Sequence, residues 1–231
     1  MKITWLGHST FQFELPSGEV LLMDPWLEGN PLFPADFEVS RLDAMIISHG
    51  HFDHIAGALP LYRRFEPVVV ANWEICQWLQ SKGVAKTSPM NKGGMQKIGP
   101  VSVTMTHAMH SSGIDDGGVT VYGGEPAGYV LEFHDGRALY FAGDTDVFGD
   151  MRLIAEIYKP ELVLLPIGDL FTMSPRQAAI ACRLLKPRKV IPMHYGTFPP
   201  LIGRPEQLAE LIGEVAGTEV WTLTPGAAVT W

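Results

Sequence analysis

Three times in this chain a short apolar run ends and a His or an Asp follows almost at once. Ile47 leads to His49, Phe141 to Asp144, and Ile191 to His194. Short apolar runs bounded by turn residues read as buried strands. A chain built this way puts its polar chemistry where strands run out into loops. If those strand ends meet at one rim, the imidazoles and carboxylates converge there. The densest stretch is His49-Gly50-His51-Phe52-Asp53-His54, directly after Ala44-Met45-Ile46-Ile47. Imidazole suits Zn, Fe, Ni or Cu, and a carboxylate adds charge compensation and can bridge two ions. The alternative is a solvated loop without function. In a chain with only eight histidines, the clustering argues against it.

The 231 residues fit one large domain or two small ones, and the reading adopted is a single domain over residues 1–231. At 46% hydrophobic and 18% charged, the chain can bury a substantial core without disulfides. The formal net charge of -8 argues against a phosphate-backbone binder, so no nucleic-acid partner is expected. Cys76 and Cys182 stand far apart in no metal-binding spacing, which predicts two free core thiols in a reducing compartment. The N-terminal residues Met1 to His8 read as a first strand rather than a secretory leader. No run approaches the roughly 20 apolar residues of a membrane span. The expectation is a cytoplasmic protein acting on a small-molecule substrate, with no membrane partner and homo-oligomerisation left open.

Further apolar runs predict strands at Val20–Met23, Ala44–Ile47, Val68–Ala71, Val101–Thr106, Tyr129–Phe133, Ala138–Ala142, Leu162–Leu165 and Val190–Ile191. Asp135-Gly136 between two of them signals a two-residue type I′ hairpin, with His134 exposed beside it. Ser174-Pro175-Arg176-Gln177 supplies an N-cap, a Pro in the first turn and a capping-box Gln for a helix running to Lys186. Other helices are predicted over Ile55–Phe65, Trp73–Ser81, Val147–Tyr158 and Pro205–Val215. The mixture suggests two sheets packed face to face with helices outside.

His110 follows the Val101–Thr106 run, and with Asp144 and His194 it brings the candidate ligands to five histidines and two aspartates. Two complete tetrahedral His/Asp sets would need one more carboxylate unless one bridges. Asp144, standing alone, is the natural bridge, and the remaining positions stay open for water, as a catalytic site requires.

On these residues the chain resembles the metallo-β-lactamase superfamily. Within it, the chain is similar to bacterial metal-dependent hydrolases related to L-ascorbate-6-phosphate lactonase. The phrases that carry the resemblance are Trp5-Leu6-Gly7-His8-Ser9-Thr10-Phe11, the His49–His54 cluster, His110-Ser111-Ser112-Gly113, Phe141-Ala142-Gly143-Asp144-Thr145, Leu165-Pro166-Ile167-Gly168, Phe171-Thr172-Met173 and Pro192-Met193-His194-Tyr195-Gly196-Thr197. The resemblance implies an α/β (α+β) fold, a four-layer αββα sandwich with a two-metal site at one rim. It assigns His49, His51 and His110 to a first ion, Asp53, His54 and His194 to a second, and Asp144 to the bridge. Di-iron electron-transfer relatives carry Glu where this chain has His51, and dizinc β-lactamases lack a His at the position of His54. The superfamily's nucleases are usually longer.

The expected activity is hydrolysis of a small-molecule ester or lactone by a hydroxide activated by two divalent metal ions, Zn first, with Mn, Fe or Ni as alternatives. Asp53 and Asp144 are the candidate catalytic carboxylates. Phosphodiester cleavage is the runner-up; a di-iron redox protein and a non-catalytic metal-binding protein are the readings from other classes. His8, Tyr195 and Thr197 are candidates to line the site, with a core role for His8 as the alternative. Asp24 reads equally as a partner of the ligands or as a turn residue, and Asp169 near the rim is a weak candidate. His107 is expected to be structural. Trp73 and Trp78 are expected in the core. The glycine-rich stretch 111–127 is either a lid or a tight connection between strands.

Overall fold

The computed structural model describes residues 1–213 and 217–231. In chain order the first elements are β1 (Lys2–Trp5), β2 (Phe11–Glu14), β3 (Val20–Met23), β4 (Ala44–Ile46), α1 (Phe52–Ile55), α2 (Ala58–Phe65), β5 (Val68–Asn72), α3 (Trp73–Ser81) and β6 (Thr87–Met90). There follow β7 (Met95–Ile98), β8 (Val101–His107), β9 (Gly113–Asp115), β10 (Thr120–Tyr122), β11 (Ala127–Glu132), β12 (Ala138–Phe141) and α4 (Met151–Tyr158). The last are β13 (Leu162–Pro166), α5 (Pro175–Leu185), β14 (Lys189–Met193), α6 (Pro205–Ile212), β15 (Glu219–Val220) and β16 (Ala228–Thr230).

These form two compact units, one of residues 1–91, 111–126 and 223–231, the other of residues 92–110 and 127–222. The first holds a seven-stranded sheet in the order β16-β1-β2-β3-β4-β5-β6, antiparallel up to β3 and parallel from β3 to β6. The second holds a seven-stranded sheet in the order β15-β14-β13-β12-β11-β8-β7, parallel from β12 to β15 and antiparallel beyond. The inner parallel strands are apolar at nearly every position, as strands buried on both faces must be. In the first unit Leu22, Met45 and Val69 pack with Ile55, Ala58, Ile75 and Leu79 of the helices. In the second, Tyr140, Val163 and Val190 pack with Ile154, Ala178, Cys182 and Leu208.

Local chemistry accounts for the element ends. Ser174 caps α5 with a reciprocal Gln177 bond, and the helix stops at a left-handed Lys186 before Pro187. The helix expected over Ile55–Phe65 is instead two, α1 and α2, separated at Gly57, which donates its N–H to the Pro25 carbonyl at 2.7 Å. A Cβ at Gly57 would stand 2.7 Å from that oxygen, so the chain turns where only glycine fits. Helix α4 begins at Met151 rather than Val147, and the Val215 end expected for α6 lies outside the described residues. The Asp135-Gly136 turn is not type I′. Phe133 accepts from Gly136 N–H and donates to Arg137, and Gly136 alone has a positive φ, 84°, making a three-residue loop with a glycine bulge. Trp73 is 55% exposed, against the expectation of a core residue, and Trp78 is half-buried. Five residues of helix turn the two rings to different faces, and the buried stripe of α3 is Ile75, Cys76 and Leu79.

Both cysteines are free and buried, and burial pushes each thiol up to about 12. The thiolate is the reactive form. Titration with a disulfide reagent at pH 8 should therefore find both thiols silent in the folded protein and both reactive once it is unfolded. Among the described residues, no helix is long and apolar enough to cross a membrane.

Candidate metal centre

Asp24, the His49–His54 loop, Asp144 and His194 follow the carboxyl ends of strands that pair parallel, where open α/β sheets place their chemistry, whereas His8 and His110 follow the antiparallel strands β1 and β8. In the first unit, β3 ends at Asp24 and β4 runs out into His49–His54. Asp24 is fully buried and organises this edge. Its carboxylate accepts from Ser48 N–H at 2.7 Å, from Ser48 Oγ at 2.6 Å and from His54 Nδ1 at 2.7 Å. Ser48 Oγ lies 2.9 Å from His49 Nδ1. The Nδ1 atoms of His54 and His49 are thus committed to Asp24 and Ser48, which leaves Nε2 as the coordinating nitrogen of each ring. Burial pushes the Asp24 carboxyl above the usual carboxylate range, and the His54 and Ser48 bonds act against it. Asp24 also has a φ of 44°, so it serves at once as turn residue and ligand partner.

The ligand atoms converge. His49 Nε2 and His51 Nδ1 are 3.0 Å apart, and Asp53 Oδ2 lies 3.9 Å from His54 Nε2. Asp24, His49 and His54 offer ligand atoms all within 4.8 Å of one another, as do His8, Asp53 and His54. His8 is fully buried with its Nε2 3.0 Å from Asp53 Oδ2, so it stands beside a candidate ligand rather than away from the edge. An ionised Asp53 can only accept, so His8 presents Nε2–H to it. Trp5 Nε1 donates to the His8 carbonyl at 2.9 Å, and the Trp26 ring meets the imidazole edge-on at 5.2 Å. Gly50 donates to Ser112 Oγ at 3.0 Å, and a Cβ there would stand 2.6 Å from Ile114. The glycine-rich stretch is therefore a β9–β10 hairpin fastened at its base to the His49–His54 loop. Asn72 adds bonds to the carbonyls of Gly123 and Glu125.

In the second unit β12 ends before Asp144 and β14 before His194. Both residues are 2% exposed. One carboxylate oxygen, Asp144 Oδ2, lies 2.9 Å from His194 Nε2 and 3.7 Å from His110 Nε2. Thr145 ties the loops that carry these residues: its Oγ accepts from Met109 N–H at 2.9 Å, and its carbonyl accepts from Met173 N–H at 3.2 Å. Gln177 of α5 donates to Asp146 at 2.6 Å. Tyr195 lies half-buried against the helix-side core, and burial pushes its phenol up to about 12. Thr197 is buried, its hydroxyl 3.5 Å from the Tyr195 carbonyl. Asp169 takes the Leu170 N–H at 2.8 Å. His107 is exposed, 3.1 Å from Lys92 and edge-on to Phe148.

The donor chemistry of both units fits borderline divalent ions such as Zn. Sequence reasoning missed Ser48 and Thr145, and the signal for both is a hydroxyl residue adjacent in sequence to a candidate ligand. Gly168 shows how tightly His194 is held: a Cβ there would stand 2.1 Å from the His194 carbonyl oxygen. Gly168→Ala should cost about 2–3 kcal/mol or more in the denaturant midpoint, as overpacking does, and lower metal retention with it.

Residues 20–195 match the model of the beta-lactamase superfamily domain. A UPF0173 metal-dependent hydrolase of Solibacter usitatus is 64% identical over 231 residues, covering all of both chains. Another, of Koribacter versatilis, is 50% identical over all of this chain and 97% of its own. Igni18, a metallo hydrolase of Ignicoccus hospitalis, superposes with a TM-score of 0.88 at 35% identity over all of this chain and 97% of its own. With two mixed sheets, their helices and this donor set, the chain belongs to the metallo-β-lactamase superfamily and, within it, to the UPF0173 metal-dependent hydrolases.

Proposed function

We propose that this hydrolase cleaves a carboxylic ester or lactone of a small molecule. In this reading His49, His51 and His110 would hold one divalent cation, Asp53, His54 and His194 would hold a second, and Asp144 would be the carboxylate shared between them. The observation that carries the reading is Asp144 Oδ2, a buried carboxylate oxygen 2.9 Å from His194 Nε2 and 3.7 Å from His110 Nε2. The cations supply Lewis acidity and make water a nucleophile near neutral pH. The chain does the rest. Asp53, whose Oδ2 is held by His8, or Asp144 would accept a hydrogen bond from the attacking water and orient it. Asp24 and Ser48 fix the tautomers and angles of His54 and His49. The motif resemblance to metal-dependent hydrolases related to L-ascorbate-6-phosphate lactonase is the support for a lactone or ester bond.

The test is a panel of lactones, thioesters, p-nitrophenyl esters and bis-p-nitrophenyl phosphate offered to the metal-loaded protein. The expected result is that acyl substrates exceed the phosphodiester in kcat/KM by at least about tenfold, a modest difference in transition-state binding. Preference for the phosphodiester would replace this reading with a phosphodiesterase.

A further inference from the structure

We infer that the second unit holds a binding site for a small zwitterion with an aliphatic body, an α-amino acid of about the size of leucine. The site is the cavity between the loop that joins β13 to α5 and helix α6, and every residue on its wall belongs to that unit. None of them is a candidate metal ligand, and the inference does not depend on the ester reading.

The backbone fixes the cavity. Gly203 donates its N–H to the Gly168 carbonyl at 3.4 Å, and a Cβ at Gly203 would stand 1.7 Å from the Ile167 carbonyl oxygen. This close approach holds the chain entering α6 against the chain entering α5. Asp169 and Leu170 come next, with φ of 67° and 50°, and Asp169 donates its N–H to the Met173 carbonyl at 3.0 Å. Two consecutive non-glycine residues stay in the left-handed region only where the surroundings over-determine them. The walls are therefore set before a ligand arrives, which lowers the cost of binding one. The space is about 210 Å³. That lies below the roughly 300–1,000 Å³ of pockets for drug-sized ligands and suits a molecule of amino-acid size.

Two opposite charges line this one small space without meeting. Arg176 and Asp169 form no ion pair with each other, and among the described residues neither pairs with another charge. Asp169 uses Oδ1 for the Leu170 N–H at 2.8 Å and keeps its second oxygen. Gln207 gives Oε1 to the Arg204 N–H at 3.0 Å, and among the described residues its Nε2 has no acceptor. A carboxylate suits the Arg176 fork and the Gln207 amide together. An ammonium suits the remaining oxygen of Asp169. A simple anion would also meet the Asp169 carboxylate, and a simple cation the Arg176 guanidinium. A molecule that carries both charges leaves neither opposed.

The rest of the wall is apolar. Pro175, Ile202 and Leu211 line the same cavity, and Ile202 and Leu211 are exposed. An apolar wall with a few convergent polar groups is the usual make-up of a small-molecule site. An aliphatic side chain lying on Ile202 and Leu211 would take their surface out of water along with its own.

The experiment is calorimetric titration of the metal-loaded full chain with leucine, glycine, 4-methylpentanoate and isoamylamine. The last two are leucine without its ammonium and without its carboxylate. Leucine should bind at least about tenfold more tightly than either, as the loss of hydrogen bonds to a charged group implies. It should exceed glycine by about tenfold or more through its buried carbons. Arg176→Gln should weaken leucine by about tenfold or more on the same ground. Asp169→Asn should bring leucine down to the level of 4-methylpentanoate, because asparagine adopts the left-handed region and can still accept the Leu170 N–H. Neither variant removes an ion pair, so the thermal midpoint should hold. Leucine binding that survives Arg176→Gln would belong to the metal ions, which amino acids chelate, and overturns the inference. So does 4-methylpentanoate or isoamylamine binding as tightly as leucine, or the lack of saturable leucine binding at millimolar concentrations.

Discussion

Asp144→Asn should lower hydrolysis by at least about 100-fold, the upper end of what even an outer-shell change costs at a metal site. The amide keeps the shape of the side chain but loses the negative charge, and its nitrogen cannot ligate a cation. One carboxylate oxygen of Asp144 lies near both His194 and His110, so both lose their shared partner at once. Loss of one metal equivalent should accompany the loss of rate, and both belong on the same preparation. His134→Ala is the control: His134 is exposed in the β11–β12 loop and should change neither quantity. An Asn variant that keeps two metals and near wild-type turnover would remove Asp144 from the site.

The second large effect is expected at Asp24, which touches no substrate in this account. Asp24→Ala removes the acceptor for Ser48 N–H, Ser48 Oγ and His54 Nδ1, all buried. Breaking a buried paired group by deleting one partner costs about 3–5 kcal/mol, because the donors left behind stay out of water. Denaturant unfolding should show that loss in the midpoint. The His54 and His49 rings also lose the bonds that fix their Nδ1 atoms, so metal affinity should fall by roughly 10–100-fold, the usual cost of removing such a partner. A stable Asp24→Ala variant with unchanged metal affinity would show that the network shapes the turn and nothing more.

Much of the candidate site was legible in the sequence because the residue types that suit metal ligation recur there at short spacing. The His49–His54 cluster announced one edge, and the strand-end rule found Asp144 and His194 without reference to any structure. Strands β3, β4, β12 and β13 were legible for a related reason: buried parallel strands are nearly continuous apolar runs. Strands β6, β7, β9, β15 and β16 were not, because they are two to four residues long, lie at sheet edges or in the hairpin, and carry polar residues such as Thr87, Gln96 and Glu219. Asp24 was legible only as one of two readings, and Ser48 and Thr145 only as hydroxyl residues beside candidate ligands; their partners were not legible. Each acts through a contact between segments distant in sequence, such as Asp24 to His54, and no local pattern encodes that pairing. Trp73 was misread because an aromatic near helical spacing suggests a core stripe, whereas Asn72 caps α3 and leaves Trp73 in the exposed first turn.

The central claim is that seven residues hold two cations. Its most direct test is elemental analysis of the full chain reconstituted with excess Zn, Mn, Fe or Ni and freed of loose ions, with protein concentration from amino-acid analysis. The account predicts about two equivalents per chain, as seven donors sharing one bridging carboxylate require. His49→Ala and His194→Ala should each lower that figure while the protein stays folded. A firm value of one equivalent in the reconstituted wild type, unchanged by His194→Ala, would contradict the account.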